Sequence, residues 1–275
     1  MKPEYYIGIE MIDEEHKQLF QYADEAYELL HDEFTPDKYD KMNTHELCCI
    51  GHITHDKIVT PKRTAHMPGG TSFYFSHAIK QFDDIDYALI TALGEEDMHV
   101  VDEMRRLGLQ VEVMPSRQSV YFENIYGENQ DNRTQRVLAK ADPFTVDYLQ
   151  DIEAHIFHLG SLLADDFSLE VVKYLSGKGK LSIDSQGYLR EVRGTDVFAV
   201  DWKQKHEFLK YATFLKANEQ EMYSLTGYND VEKAAKELHS WGVKEVLLTL
   251  GSNGSVIYDG EQFHLIPAYK PTEIV

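Results

Sequence analysis

The sequence predicts an α/β fold with a largely parallel sheet covered by helices on both faces, entered after one amphipathic helix. Three observations carry this. From about Glu46 onward, short apolar runs of strand length alternate with stretches patterned at helical spacing. The 275 residues, 43% of them hydrophobic, suffice for one substantial core with a small appendage. Residues 1–42 obey a different rule, reading as one amphipathic helix and the segment that ends it.

In that first segment Ile12, His16, Leu19, Ala23 and Leu30 recur at helical spacing, Asp13 is placed to cap, and Pro36 ends the pattern. A single amphipathic helix cannot bury its own apolar stripe, so this one needs a partner. The alternation then runs through ELCCIGHI, GGTSFYFSHAIKQF, YALITALG, DMHVVDEMRRLG and VEVM. SVYFENIYG and RTQRVLAKA read as two extra strands. AHIFHLG, FSLEVVKYLSG, LSID, KHEFLKYATFLKAN, VEKAAKELHSWG and EVLLTLG continue it, and SVIYDGEQFHLI reads as a hairpin turning at Asp259-Gly260. The domains expected are therefore 1–42 and 43–275.

No run of about 18 apolar residues offers a membrane span, and the N-terminus lacks the three-part pattern of a signal peptide, so the chain is expected to be cytoplasmic with no membrane partner. A net charge of −20 repels a phosphate backbone, and no basic, aromatic-interleaved patch offsets it; nucleic acid is not an expected partner. Cys48 and Cys49 are adjacent on a strand, so they point to opposite faces and read as two buried free thiols.

Three stretches carry chemistry. Asn218 and Glu221 close an apolar run and open a helix, where an amide and a carboxylate three apart face the same way. They can hold water around magnesium on nucleotide phosphates, or simply cap the helix. In EVLLTLGSNGSVIY a buried strand ends at Thr249, and Gly251 and Gly254 then allow a turn close to a ligand; the pattern is not a P-loop. Near the start, Asp56 lies a few residues past the first strand and can accept two hydroxyl hydrogen bonds, as a polyol would offer. Gly69 and Gly70 then stand at a helix N-terminus, whose bare N–H groups can meet a hydroxyl-rich ligand. Asp184 ends a strand and orients the site with Arg190 or acts as a turn acid. The pairs His52/His55 and His155/His158 are three apart on predicted strands, which sends each pair to opposite faces and argues against metal sites.

The order strand–GxxxxD, PGG before a helix, NxxE and TLGxxG resembles the PfkB, or ribokinase-like, carbohydrate kinases over nearly all of residues 46–275. The resemblance implies a three-layer sandwich and ATP-dependent phosphoryl transfer to a hydroxyl of a small sugar or polyol. It implies that Asp56, Gly69, Gly70 and Thr71 line the acceptor site, that Asn218 and Glu221 organise Mg2+ and phosphates, and that Thr249, Gly251 and Gly254 meet ATP. A homodimer through lid strands is a further implication.

The pattern also departs from ribokinases. Thr54 replaces an Asn two residues before Asp56, and GGTSFY, with Thr71 and Tyr74, replaces GGKGAN. About a dozen residues separate Asp56 from Gly69, too few for the usual lid strands, so a reduced lid like that of inositol kinases is expected, pointing away from ribose. The family's D-x-x-G-x-G-D segment, which supplies an anion hole and the general base, is not in the sequence. No catalytic residue is therefore assigned. The expectation is a C-terminally incomplete domain, without its last helices, that binds nucleotide but has little or no kinase activity.

IGIEMIDEEHKQLFQYADEAYELL resembles the first helix of hemerythrin-like proteins, in which the position of His16 is an iron ligand. A di-iron bundle needs ligands from its other helices as well. An iron- or oxygen-binding protein is thus a third expectation beside kinase and non-catalytic or chimeric binding protein.

Overall fold

The computed structural model describes residues 44–82, 84–127 and 133–268. The expected helix over 1–42, with His16, lies outside the described residues.

The first strand, β1 (His45–Gly51), pairs in parallel on both sides, with β4 (Tyr87–Leu93) and β8 (Ala154–Gly160). Period-two alternation on β1 builds both halves of the interior: Cys48 joins the core under one sheet face and Cys49 the core on the other, both as free thiols. The remaining strands of this sheet are β5 (Val111–Pro115), β9 (Lys180–Asp184), β12 (Phe214–Asn218), β13 (Glu245–Thr249), β14 (Ser255–Tyr258) and β15 (Phe263–Ile266). Among the described residues their order is β15-β14-β13-β12-β9-β8-β1-β4-β5, parallel from β13 to β5 with an antiparallel hairpin at the other edge.

On the Cys49 face, α1 (Thr71–Ile79) contributes Phe73 and Phe75, and α2 (Met98–Arg106) contributes Val101 and Met104. On the Cys48 face lie α3 (Val146–Leu149), α4 (Leu169–Ser176), α5 (Lys205–Leu209), α6 (Glu219–Thr226) and α7 (Val231–Ser240), with Val172, Leu209, Leu225 and Leu238 fully or almost fully buried. Local signals start these helices where expected: Ser168 caps α4 by accepting from Val171 N, and Asp230 caps α7 by accepting from Lys233 N. KHEFLKYATFLKAN divides between α5 and β12.

A second sheet is built from β2 (Thr54–Val59), β3 (Thr64–Gly69), β6 (Val120–Tyr126), β7 (Arg133–Ala139), β10 (Arg190–Arg193) and β11 (Asp196–Ala199), in the order β10-β11-β7-β6-β2-β3. Here two expectations are corrected. The stretch between Asp56 and Gly69 is not too short for lid strands, because an antiparallel hairpin needs only the Thr60–Arg63 turn, closed by Thr60 N donating to Arg63 O. Asp56, a few residues past β1, sits within β2. His52 is in the link between β1 and β2, whereas His55 is on β2; His155 and His158 do flank β8 on opposite sides, the first exposed and the second largely covered.

Burial pulls the His158 imidazole down to about 4, Asp184 nearby partly opposing the shift and Lys216 adding to it. An unfolded histidine takes up its proton near 6.5, so acidification from 6.5 to 4 favours the unfolded chain, by up to about 3 kcal/mol. Replacing His158 with Gln should flatten this loss. Urea midpoints at pH 7 and pH 4.5 for both proteins check it, and an equal acid drop in the variant would remove His158 as its source.

Candidate functional site

The chain leaves β1 for β4 and β5 on one side of the sheet and returns through β8, β9, β12 and β13 on the other. The two directions part between β1 and β8, and a parallel sheet opens a crevice at the C-terminal ends of strands that part in this way. Gly51 and Gly160 end those strands and are register partners. Both have to be small: a β-carbon at Gly160 would collide with the Thr71 side chain, and one at Gly51 would lie 2.9 Å from the Gly160 carbonyl oxygen. Ser72 Oγ donates to Gly51 O at 2.7 Å, so the start of α1 is tied to the end of β1.

Beside this crevice stands the first predicted cluster. Thr54 and Asp56 share one face of β2, and Thr54 Oγ1 donates to Asp56 Oδ1 at 2.7 Å. Gly69 is the cross-strand partner of Thr54, and a β-carbon there would lie 2.5 Å from Asp56 Oδ2, so the carboxylate occupies the space a side chain would have filled. Gly70 follows at φ 89, with its missing β-carbon facing the His52 carbonyl oxygen, and Thr71 opens α1. This face of the second sheet, through Val120, Phe122 and Val137, packs on Leu162 and Leu163 just past β8, which turns it toward the strand ends. Lys57, on the opposite face, is held by Glu123 at 2.8 Å, and Arg136 by the same carboxylate at 3.1 Å. The alternation therefore turns the acid inward and its neighbouring base outward.

The second predicted cluster lies at the C-terminal ends of the first sheet's strands, beyond β8 and β9. Asn218 ends β12 opposite Thr249, which ends β13. The capping box is complete: Glu221 N donates to Asn218 Oδ1, and Asn218 N donates to Glu221 Oε2, each at 2.8 Å. Ser185 Oγ donates to the same Glu221 oxygen at 3.3 Å. Burial raises the Glu221 carboxyl, with Lys216 opposing and Asp184 reinforcing the shift. Helix cap and charged site are thus one arrangement. Asp184 ends β9 and meets Lys216 Nζ at 3.0 Å; its expected partner Arg190 starts β10 and is among the charges acting on Glu221.

The two glycines after β13 differ. Gly251, at φ 54, has open space where its β-carbon would be, so its backbone can be approached; Gly254, at φ 87, is packed against the Ile266 carbonyl of β15. Gly254 therefore serves the hairpin. Strands are about 4.8 Å apart, so the β13 and β1 ends are separated by roughly 19 Å along the edge, with β12, β9 and β8 between them.

Three further features escaped the sequence reading. His52 and Asp166, both buried, approach at 3.3 Å, and His52 stacks on Phe144. Asp166 Oδ2 also accepts from Leu162 N and Leu163 N, which shapes the turn after β8. Ser161 Oγ, donating to Asp184 O, ties that turn to β9. A lone Asp or Ser carries no periodic signal that would have revealed these partners.

The oxygen donors Asn218, Glu221, Thr249 and Asp184 suit a hard cation. Among the described residues no three His, Cys, Asp or Glu converge as a metal-binding group. Oxygen donors of this kind are the type magnesium takes, an ion that keeps most of its waters and is carried largely by phosphates.

Residues 40–275 match the family model described as pfkB family carbohydrate kinase. Cytidine kinase of Thermococcus kodakarensis is 26% identical over 244 residues, covering 84% of this chain and 82% of that protein. A solved pyrophosphate-dependent kinase in the ribokinase family is 29% identical with a TM-score of 0.73, covering 80% of this chain and 78% of the other. A solved pyrophosphate-dependent myo-inositol-1 kinase converted into a myo-inositol-3 kinase is 26% identical with a TM-score of 0.71, covering 80% and 76%. Bacteriohemerythrin of Clostridium acetobutylicum shares 54% identity over 41 residues, which is 15% of this chain and 32% of that protein.

Proposed function

The chain belongs to the pfkB family of carbohydrate kinases, and from that premise we propose that its crevice binds a small sugar, polyol or nucleoside at one end and a phosphoryl donor with Mg2+ at the other. The observation that supports this best is that Thr71 and Ser72, beside the Asp56 cluster, pack on the ends of β1 and β8, while Asn218 and Thr249 end β12 and β13 farther along the same sheet. Asp56 and the backbone around Gly69, Gly70 and Thr71 hold acceptor hydroxyls. Asn218 and Glu221 position waters of the magnesium, and Thr249 and the Gly251 backbone meet the donor. ATP and pyrophosphate are both candidate donors, since similar solved kinases are described as pyrophosphate-dependent.

In the reaction of this reading, an acceptor oxygen forms a bond to the terminal phosphorus, the bridging P–O bond breaks, and the hydroxyl proton passes to a base. Magnesium, when bound, offsets charge on the phosphates. The 275 residues hold no D-x-x-G-x-G-D segment, and the base is not assigned to any described residue.

Thermal-shift and calorimetric titrations with magnesium and ATP or pyrophosphate, and with myo-inositol, ribose and cytidine, test the two ends separately. Asp56→Asn should weaken the best acceptor by roughly tenfold or more, the scale of a charge-assisted hydrogen bond, while leaving donor affinity unchanged. Equal loss at both ends would place Asp56 outside the acceptor site.

A further inference from the structure

The face of the second sheet opposite Asp56 brings two histidines together. Alternation puts His55 beside Lys57 on that side of β2, and His66 of β3 is the cross-strand partner of Lys57. His55 Nε2 lies 3.0 Å from His66 Nδ1. The other ring nitrogen of His55 lies 3.3 Å from Asp97 Oδ1, a carboxylate largely covered, with 11% of its side chain exposed. Asp97 stands where α2 begins, yet its side chain makes no capping bond to the helix. Tyr121 of β6, in register with His55, packs its ring 4.6 Å from the imidazole. His55 is thus held from two sides, while His66 is exposed. The Lys57 ammonium, on the same face, is drawn to Glu123 at 2.8 Å.

A carboxylate only accepts, so the hydrogen sits on His55 Nδ1 and the lone pair of Nε2 faces His66. An imidazole with one nitrogen on a carboxylate and the other presenting a lone pair is the arrangement that orients histidine ligands of zinc. Two such nitrogens at about 2.0–2.1 Å from one zinc stand roughly 3.3 Å apart at the tetrahedral angle, a few tenths of an ångström wider than the gap seen between His55 and His66. From this geometry we propose that His55 and His66 bind one zinc ion on the outer face of β2 and β3, with Asp97 as the positioning residue of His55. Two imidazoles leave the other coordination positions to water, so the site is an open one. Nitrogen ligands suit zinc and not magnesium, which sets this site apart from the donor end. Through Asp97 the ion links the hairpin that carries Asp56 on its other face to the start of α2.

The test is calorimetric titration of zinc chloride into the full chain after treatment with a chelator, with no magnesium, donor or acceptor present. The parent should take up one equivalent that His66→Gln does not; His66 is exposed, so this substitution leaves the core intact. Zinc should raise the thermal midpoint of the parent more than that of His66→Gln. Asp97→Asn should keep the equivalent but bind it about tenfold or more weakly, the scale of losing a carboxylate behind a ligating histidine. Zinc uptake by His66→Gln with the parent's stoichiometry and affinity would overturn the proposal, whichever other side chain then holds the ion. A parent that binds no zinc would overturn it too, leaving His55 and His66 as a pair sharing one hydrogen. Parent-like affinity in Asp97→Asn would remove Asp97 from the assignment.

Discussion

Gly70→Ala should lower stability by about 3 kcal/mol or more and abolish acceptor binding. Gly70 joins β3 to α1 at φ 89, a region that costs an L side chain roughly 1–2 kcal/mol by itself. The added β-carbon would also run into the His52 carbonyl oxygen and crowd Thr54, and a backbone carbonyl cannot step aside as a flexible side chain can. Relief requires moving β3 away from the β1–β2 link, which displaces Gly69 from Asp56 and the start of α1 from Gly51. Gly194→Ala is the control: φ is positive there too, at 65, but nothing lies within 4 Å, so only the conformational cost of about 1 kcal/mol remains. Urea unfolding of both variants measures the contrast. Similar midpoints would show that the collision at Gly70 is absorbed.

Glu221→Ala and Glu221→Gln should part company. The carboxylate accepts from Asn218 N and from Ser185 Oγ while buried against the end of β9. Alanine leaves both donors unanswered and removes the reciprocal half of the cap, which should cost about 2 kcal/mol. Glutamine retains a carbonyl oxygen for Asn218 N, so its stability should stay within about 1 kcal/mol of the parent. It carries no charge, however, and magnesium-dependent donor affinity should fall by roughly tenfold or more in both variants. Thermal midpoints with and without magnesium and donor separate cap from site. Parent-like donor affinity in Glu221→Gln would reduce Glu221 to a helix cap.

The strands of the first sheet and most of its helices were legible because each carries its own period: ELCCI and EVLLT are strand-length apolar runs, and VEKAAKELHS places Ala234, Ala235 and Leu238 on one buried face. The hairpin at Asp259-Gly260 was legible from its turn residues. β10 and β11 were not, since RGT between short mixed-polarity runs has no apolar face to announce it. The lid hairpin was misjudged from spacing: a count of residues does not reveal that Thr60 and Arg63 close a tight turn.

The four motifs identified the family and marked the residues proposed for the two ends, because covalent spacing fixes which groups can share a helix turn or a strand end. What the sequence by itself determined was therefore an α/β chain of carbohydrate-kinase ancestry with Asp56, Asn218, Glu221 and Thr249 marked for chemistry. Only the tertiary structure decided that Asn218 and Thr249 end adjacent strands of the first sheet, that Asp56 lies on a second sheet and faces inward while Lys57 faces out, and that Lys216 meets Asp184. Those facts arise from strand order and register between segments far apart in the chain. No local period encodes them, since they follow from which strands pair when the whole core is buried at once.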